Sequence, residues 1–441
     1  MHTTFNGIIE SKKEINPEKT IEILESRAGN PPDRTLKRIK KAIDILGIKP
    51  IKMVNVVGTN GKGTVASAIY NVLKVYGLKV GLYTSPHLVR YTERIMDSDG
   101  EIEFETFIRL VDFVTNIESE LIDFGELTYF EVLTLVAFIF FNYKNEEFLV
   151  IEAGVGGATD ATKAFDGSIL QILTSISIDH ADYLGNTIYD IAKNKSGIMN
   201  GTTAITMNEG DAIKAIEEYR MRTDTKLYKQ SDFKLTKDGE LLTGENLPIT
   251  GEFSVEFMDK KISINPKQLG IFRVENYALA FAGVVTILKK LGLKYEEDLI
   301  KHAINTSVWN GRTQVIHDKP MIIVDGAHNY DAIKKLFETL DRIPHKKTTT
   351  VFAIMSRKDH KTIGPIVRKN SDNLIVTTNG NEKSLELEIL KTESNADFVY
   401  GDLSDAIKKG LEISDENDLI VICGSLYLVG EVLKLDFKNF F

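Results

Sequence analysis

The sequence is poor in cysteine, since Cys423 is the only one among 441 residues. A disulfide framework and a zinc site built on cysteines are therefore excluded. Cys423 ends a short apolar run that begins at Ile420. This setting predicts a packing role at the end of a buried strand rather than a nucleophile.

Long apolar segments are also missing. The longest apolar run of a membrane-like kind is residues 132–141. It is too short to span a bilayer and predicts a buried helix instead. The first residues carry no apolar signal-peptide core. We therefore expect a cytoplasmic protein without a membrane partner.

Positive charge is not in excess, because the formal net charge is −9 at pH 7. This balance argues against nucleic acid as the main partner, although local positive sites could still bind anionic substrates. No internal repeat, heptad run or low-complexity tract is present. With 43% hydrophobic and 27% charged residues, the composition is that of a soluble globular protein. The length suffices for roughly two or three domains.

The strongest positive signal is a glycine-rich turn between a predicted strand and a predicted helix, in residues 52–64. Glycines let backbone N–H groups converge on an anion, and a helix N-terminus adds positive partial charge. Lys62 can reach the outer phosphates of a nucleotide, and the Thr64 hydroxyl can serve Mg²⁺ or a phosphate. The spacing differs from the common phosphate loop, because Gly63 separates the lysine from the threonine. A simple tight turn is the alternative.

Polar residues also follow three later predicted strands, at Ser85, Glu152 and His180. Ligands of open α/β sheets bind at the C-terminal ends of the strands. A buried carboxylate needs a partner, and Mg²⁺ would supply one for Glu152. Taken alone, Ser85 and His180 each have a purely structural alternative, since Ser85 could form a turn and His180 could be a hydrogen-bonded structural histidine. The strand before His180 is predicted over residues 169–178.

Strand and helix patterns alternate through residues 201–260, and the alternation restarts after Arg312. The restart begins with an apolar strand that ends in Asp325, and further strands follow. We therefore predict an N-terminal domain that carries the glycine-rich loop, over residues 1–308, and a C-terminal, Rossmann-like domain over residues 309–441.

Several motifs of one family occur in that family's order along nearly the whole chain, from about residue 17 to the end. The chain resembles the folylpolyglutamate synthase/dihydrofolate synthase branch of the Mur ligase superfamily. No single motif is specific, but the ordered set is. The matching stretches are residues 58–64, 85–88, 93–95, 128–131, 152–162, 179–187, 195–198, 325–329 and 424–430.

The resemblance implies an α/β fold, with a P-loop, Mur-ligase-type central ATPase domain followed by a smaller doubly wound α/β domain. It implies an ATP-dependent acid–amino-acid ligase that adds L-glutamate to a folate or dihydropteroate carboxylate. The γ-phosphoryl group of ATP would pass to the carboxylate, and the amine would attack the resulting acyl phosphate. Such chemistry needs positioning and charge neutralisation more than a protein nucleophile. The enzyme would act as a monomer on these small molecules.

The resemblance also implies roles for single residues. Lys62, Lys195 and His328 would be catalytic, and Lys195 matches a lysine that is carbamylated in many members. Two Mg²⁺ ions are implied, with Ser85, Glu152 and His180 as the metal-binding residues. The pterin or acceptor side would be lined by Thr128, Phe130, Glu131 and Asp160, although Thr128 and Glu131 also fit a helix capping box. The nucleotide would be bound by Gly58, Thr59, Asn60, Gly61, Lys62, Gly63, Thr64, Asn276, Arg312 and Asp325.

Several positions depart from the usual family pattern. A cation is lost at Ala158 and gained at Lys163, and Asn194 replaces a usual glutamate. Phe272 and Arg273 stand where His-Gln is common, and Tyr330 stands where proline is often found. None of these changes removes a phosphate or metal group, so they concern the acceptor more than ATP. Two alternatives therefore stay open. One is a divergent paralogue that ligates an amino acid to another carboxylic acid, and the other is a non-catalytic ATP-binding relative. Retention of the catalytic set favours an active ligase.

Overall fold

The computed structural model describes residues 5–11, 14–30, 33–243, 246–436 and 440. The N-terminal unit is built on an eight-stranded sheet with the order β4-β3-β2-β5-β1-β6-β7-β8. Its strands are β1 (Lys52–Val57), β2 (Val80–Tyr83), β3 (Ile95–Asp97), β4 (Gly100–Glu101), β5 (Phe148–Glu152), β6 (Ser168–Leu173), β7 (Thr203–Thr206) and β8 (Lys226–Tyr228). All neighbours from β2 to β8 are parallel, so their C-terminal ends meet at one edge.

Both faces of this sheet are covered, which explains why its strands read as nearly continuous apolar runs. In β1, Val54 and Val56 face one core and Met53 faces the other, as the alternation of side chains in a strand requires. The predicted strand at 169–178 is shorter in the structure, because β6 ends at Leu173. The backbone after it leaves the sheet to bond the phosphate loop, where the Ser175 carbonyl accepts two N–H groups.

A four-stranded antiparallel sheet interrupts the alternation predicted for residues 201–260. Asp238 and Gly239 both have positive φ, at 51° and 87°, which is the geometry of a tight hairpin turn. So short a connection allows only antiparallel pairing. The strands are β9 (Phe233–Lys237), β10 (Glu240–Leu241), β11 (Phe253–Phe257) and β12 (Lys260–Ile264).

The C-terminal unit is a six-stranded sheet with the order β13-β14-β18-β15-β16-β17. Only β13 and β14 pair antiparallel in it, so the predicted doubly wound C-terminal domain is confirmed. Cys423 is fully buried at the end of β18, as its apolar setting predicts. The domain boundary between residues 308 and 309 stays a prediction. The strands are β13 (Gln314–Asp318), β14 (Met321–Asp325), β15 (Thr348–Phe352), β16 (Asn373–Val376), β17 (Phe398–Val399) and β18 (Leu419–Cys423).

Helices cover the eight-stranded and the six-stranded sheet. The N-terminal unit has α1 (Phe5–Ile9), α2 (Pro17–Ser26), α3 (Lys37–Leu46), α4 (Lys62–Val75), α5 (Phe104–Asn116), α6 (Tyr129–Lys144), α7 (Ala181–Leu184), α8 (Ile188–Ser196), α9 (Gly210–Thr223), α10 (Arg273–Leu291) and α11 (Glu297–Thr306). The C-terminal unit has α12 (Tyr330–Leu340), α13 (His360–Lys369), α14 (Leu387–Ser394), α15 (Leu403–Glu412) and α16 (Leu426–Lys434). The apolar run 132–141 lies in the buried helix α6. Among the described residues no helix has both the length and the apolarity to cross a membrane.

Candidate active site

The predicted phosphate loop joins β1 to α4, in the centre of the large sheet. Gly61 has a φ of 86°, and a Cβ atom there would lie 2.3 Å from the Asn276 amide oxygen. The loop therefore needs glycine both for its backbone conformation and for the close approach of α10. The N–H groups of Thr59 and Asn60 donate to the Ser175 carbonyl at 2.8 and 3.3 Å. These bonds hold the loop against the segment that follows β6.

Lys62 and Glu152 meet where β1 and β5 end side by side. The Lys62 ammonium lies 3.8 Å from a Glu152 carboxylate oxygen and donates to the Thr59 carbonyl at 3.1 Å. The Ser85 N–H donates to the other Glu152 oxygen at 3.3 Å. Burial raises the pKa of Glu152, while the Lys62 charge and the Ser85 hydrogen bond oppose the rise. The structure thus brings together the phosphate-loop lysine and two of the three predicted metal-binding residues.

The third predicted metal residue, His180, begins α7 with a φ of 52°. Burial lowers the pKa of His180 to about 4, so its imidazole is neutral at pH 7 and could bind a cation through a ring nitrogen. In the described ranges no group of three His, Cys, Asp or Glu side chains is placed to hold a metal. A Mg²⁺ ion needs only one or two carboxylates when phosphate and water complete its shell. Buried Glu152, which the Ser85 backbone N–H contacts, fits that demand.

Lys195 lies under the phosphate loop, on α8. Its ammonium is buried and donates to the Gly58 carbonyl at 2.6 Å. Burial, and after it the nearby charge of Lys62, lowers the pKa of Lys195 to about 7. A large share of this side chain is therefore a neutral amine at pH 7, which is the form that reacts with carbon dioxide.

A carboxylate that we did not predict connects the two units at this site. Asp179 accepts from the Lys358 ammonium at 2.6 Å and lies 3.5 Å from His328 Nε2. Burial would raise the pKa of Asp179, but the hydrogen bond from His328 and the charges of His328 and Lys358 hold it far below its usual value. Lys358 follows β15 as part of a polar stretch at a strand end. The rule that identified Glu152 could therefore have found Lys358 as well.

Most of the predicted nucleotide-binding residues line one cleft between the units. In the C-terminal unit, Asp325 accepts from the N–H groups of Thr313 and Ala327, each at 2.7 Å. Asn329 donates to the Asn60 amide oxygen of the phosphate loop at 3.0 Å. The predicted residues of the cleft are Asn60, Gly61, Thr64, Asn276, Arg312, Asp325 and His328, and sequence reasoning missed Ser175, Phe272, Glu275 and Lys335.

The predicted acceptor-side residues serve the structure of the protein as well. Thr128 and Glu131 form the capping box of α6, and the Glu131 carboxylate also pairs with buried Arg38 at 2.7 Å. Asp160 is buried and accepts from Val155 N–H and from the N–H and hydroxyl of Thr162. These carboxylates are thus already hydrogen-bonded within the protein.

Phe130 is placed differently, against the loop that follows Glu152. A Cβ atom at Gly154 would lie 2.5 Å from its ring. Phe130 thus forms an apolar wall beside the Lys62–Glu152 pair.

The positions that depart from the family pattern have different surroundings. Arg273 is fully buried and donates to two backbone carbonyls before β11, so it supports the small antiparallel sheet. The Ala158 N–H donates to the Asn194 carbonyl at 3.0 Å, which joins the loop to α8. Lys163 is half-buried, and burial together with the charge of Lys40 lowers its pKa.

Comparisons with protein families match two models to this chain. The model "Mur ligase middle domain" matches residues 56–284, and "Mur ligase, glutamate ligase domain" matches residues 311–426. Folylpolyglutamate synthase of Lacticaseibacillus casei is 30% identical over 393 residues, covering 86% of this chain and 89% of that protein. Dihydrofolate synthase/folylpolyglutamate synthase of Bacillus subtilis (strain 168) is 27% identical and covers 90% and 94%.

Solved structures give the same result for the fold. Mycobacterium tuberculosis folylpolyglutamate synthase complexed with ADP superposes with a TM-score of 0.86 at 24% identity, covering 95% of this chain and 97% of that one. Escherichia coli FolC in complex with ADP, without folate substrate, has a TM-score of 0.82 at 25% identity and covers 95% and 96%.

Proposed function

Because this chain belongs to the folylpolyglutamate synthase/dihydrofolate synthase family of Mur ligases, we propose that it joins L-glutamate to the carboxylate of a folate or dihydropteroate. The chain is an ATP-dependent ligase. The observation that carries the proposal is the Lys62–Glu152 pair, with 3.8 Å between ammonium and carboxylate, beside a cleft lined by Asn276, Arg312 and Asp325. This arrangement supports Lys62 as the phosphate-binding cation, beside a cleft that residues of both units line.

The chemistry proceeds in two steps. An oxygen of the acceptor carboxylate attacks the γ-phosphorus of ATP, the bond to the bridging oxygen breaks, and ADP leaves. The amine of glutamate then attacks the acyl carbon, and inorganic phosphate leaves as the amide forms. Lys62 and Arg312 neutralise the phosphate charge that develops, and the site needs no protein nucleophile.

Mg²⁺ is part of this proposal, with Ser85, Glu152 and His180 as the residues that would bind up to two ions. When bound, the ion neutralises phosphate charge and aligns the phosphate oxygens. Buried Glu152, which lies 3.8 Å from the Lys62 ammonium and accepts from the Ser85 N–H, is the donor that best supports this assignment. We also propose that Lys195 is carbamylated, since its lowered pKa of about 7 leaves it partly neutral at pH 7.

Closure of the two units would keep water from the acyl phosphate. The contacts of Asn60 with Asn329 and of Asp179 with Lys358 support a closed arrangement. The proposed substrates are ATP, L-glutamate, and a folate or pteroate. A monomer, a cytoplasmic location and independence of nucleic acid stay predictions.

The deciding experiment measures phosphate release from ATP with Mg²⁺ and L-glutamate in three arms: dihydropteroate, tetrahydrofolate and no acceptor. Stimulation by dihydropteroate identifies a dihydrofolate synthase, and stimulation by tetrahydrofolate a folylpolyglutamate synthase. Stimulation by both identifies a bifunctional enzyme. ATP binding with no stimulation by either acceptor would contradict the proposal and favour another carboxylic acid or a non-catalytic relative.

A further inference from the structure

Arg94 is a buried cation to which no described carboxylate is paired. Four arginine residues of the described chain are buried: Arg27, Arg38, Arg94 and Arg273. Arg27 and Arg38 each form an ion pair with a glutamate. Arg273 donates to two backbone carbonyls and packs over a phenylalanine ring. Arg94 is only 5% exposed, yet within the described residues it forms no ion pair.

The hydrogen bonds of Arg94 leave its charge uncompensated. Its Nε donates to His87 Nδ1 at 2.8 Å, and its Nη2 lies 3.5 Å from the Tyr129 hydroxyl. An imidazole and a tyrosine hydroxyl carry no negative charge, so neither partner compensates the guanidinium. Nη1 makes no hydrogen bond to any part of the chain that the structure describes. A buried charge without a counter-charge is costly, so a ligand that supplies one would bind strongly here.

The guanidinium lies at the edge of the sheet where the reaction is proposed to occur. The Arg94 carbonyl accepts from the Thr84 N–H at 2.9 Å, which fixes Arg94 beside Ser85 at the end of β2. The next residue, Ser85, donates its N–H to the Glu152 carboxylate at 3.3 Å, so Arg94 lies in the same strand-end region as Glu152. Arg94 is not among the residues that line the nucleotide cleft. The guanidinium instead contacts Tyr129, which stands between the predicted acceptor-side residues Thr128 and Phe130.

Aromatic rings surround this cation. The Arg94 guanidinium carbon lies 5.6 Å from the centroid of the Tyr129 ring. Tyr83 pairs with Ile95, the residue that follows Arg94, and its ring lies 6.0 Å from the Phe130 ring between centroids. Phe130 in turn contacts the loop after Glu152. A planar guanidinium beside aromatic walls suits an aromatic molecule that carries a carboxylate.

We propose that Arg94 binds the reacting carboxylate of the acceptor acid and presents it to the phosphate held by Lys62. A guanidinium can hold a carboxylate through two parallel hydrogen bonds, and Nη1 and Nη2 are the nitrogens with capacity for them. Arg94 would thus select acids over neutral analogues of the same shape. This inference rests on the proposed function and states how its acceptor is recognised.

The test compares acids with their amides, because an amide keeps the shape of the acceptor but loses its charge. The probes are dihydropteroate and its carboxamide, and tetrahydrofolate and its γ-carboxamide. Each is titrated calorimetrically into enzyme that holds Mg²⁺ and a non-hydrolysable ATP analogue. We expect the wild type to bind at least one acid about tenfold or more tightly than its amide, as a charge-assisted bidentate pair predicts.

Three variants make the comparison specific. Arg94→Gln is expected to weaken the acid about tenfold or more while the amide and the ATP analogue bind as in the wild type. Arg94→Lys keeps the charge but cannot form two parallel hydrogen bonds. Its affinity for the acid is expected to fall between those of the wild type and Arg94→Gln. Arg27→Lys is the matched control, because Arg27 is also buried but pairs with Glu118. Its acid-to-amide ratio should equal that of the wild type.

Several outcomes would overturn the assignment. If Arg94→Gln keeps the preference for the acid, or weakens acid and amide equally, Arg94 only supports the His87 loop. Failure of the wild type to bind either acid more tightly than its amide also refutes it. Product formation is scored separately, and this distinguishes the two proposals. A wild type that discriminates through Arg94 but forms no amide product refutes the proposed function alone.

Discussion

Two lysines under the phosphate loop have different tasks because their surroundings differ. Lys62 is partly accessible and lies 3.8 Å from Glu152, so it keeps a counter-charge and can turn toward a phosphate. Lys195 is buried against the Gly58 carbonyl, and its pKa falls to about 7 because of burial and of the Lys62 charge. The first lysine is suited to neutralise phosphate, and the second to be modified.

Replacing Lys62 should abolish turnover without unfolding the protein. Lys62→Ala removes the cation nearest Glu152, and we expect kcat to fall by at least about 100-fold, as for the loss of one preorganised charge-stabilising group. The loop should keep its shape, because Thr59 and Asn60 bond to the Ser175 carbonyl through their backbones. Phosphate release and thermal denaturation measure the two effects.

Lys74→Ala is the control for this prediction, since Lys74 is exposed on the same helix. It should behave as the wild type in both measurements. Wild-type turnover in a folded Lys62→Ala protein would remove Lys62 from the catalytic site.

Carbamylation of Lys195 should increase as the pH rises from 6 to 8, because only the neutral amine reacts and its pKa is about 7. Carbon-13 NMR in ¹³C-bicarbonate measures it, and Lys195→Arg should lack the signal. Stability should rise with pH between about 7 and 10.5, the ordinary pKa of a lysine, because over that interval the unfolded lysine binds more protons than the folded one. A wild type without the carbamate signal at pH 8 would contradict the proposal.

The helix α6 is anchored by a buried ion pair at its first turn. Glu131 closes the capping box with Thr128 and pairs with Arg38 of α3, and both charged side chains are almost fully buried. The Glu131 carboxylate therefore joins α6 to α3. This gives the acceptor-side region a rigid base from which Phe130 projects toward the Gly154 loop.

Glu131→Gln should act mainly on stability. It leaves the Arg38 charge buried without its partner, which we expect to cost about 3–5 kcal/mol in the free energy of unfolding. Urea denaturation measures this, with Glu126→Gln as the control because Glu126 is exposed on the preceding loop. Unchanged stability together with a raised KM for the acceptor would mean that Glu131 binds substrate instead.

The two units are held together at the active site by a small number of polar contacts around Asp179. Lys358, His328 and Asn329 of the C-terminal unit all approach this carboxylate. Although burial opposes it, the hydrogen bond from His328 keeps the pKa of Asp179 far below normal. A carboxyl group whose pKa is lower in the folded than in the unfolded state stabilises the fold at pH values above its unfolded pKa. This stabilisation is lost only as the pH falls through the folded pKa. The Asp179 carboxylate should therefore stay ionised, and paired with Lys358, between pH 5 and pH 8.

Asp179→Asn should loosen the closed arrangement. Removing one charge of a buried pair leaves Lys358 uncompensated, and we expect the closed form to lose about 2–5 kcal/mol relative to an open form. Small-angle X-ray scattering should show a larger radius of gyration, and kcat should fall. Asp182→Asn, at an exposed position three residues away, is the control and should change neither. Equal scattering from wild type and Asp179→Asn would refute this role.

Much of the architecture and part of the site could be predicted because they depend on local patterns. A strand, a glycine turn and a helix follow one another in residues 52–75, so the loop and Lys62 are evident from residue order. Ser85 and Glu152 follow strands, and parallel strands end at one edge. The Asp238-Gly239 pair is also a hairpin signal in the sequence. We did not predict the hairpin, because we interpreted residues 201–260 as alternating strands and helices.

Residue order alone determines which segments form strands and helices and which polar groups stand at strand ends, because hydrophobic periodicity and turn chemistry act over a few residues. It does not determine which charges become partners. Asp179 and Lys358 are far apart in the chain, and they pair only because two sheets meet at one cleft. Arg38 and Arg94 are both buried, but of these two only Arg38 forms an ion pair within the described residues. Long-range packing decides burial and pairing, and these decide which cation remains for a substrate.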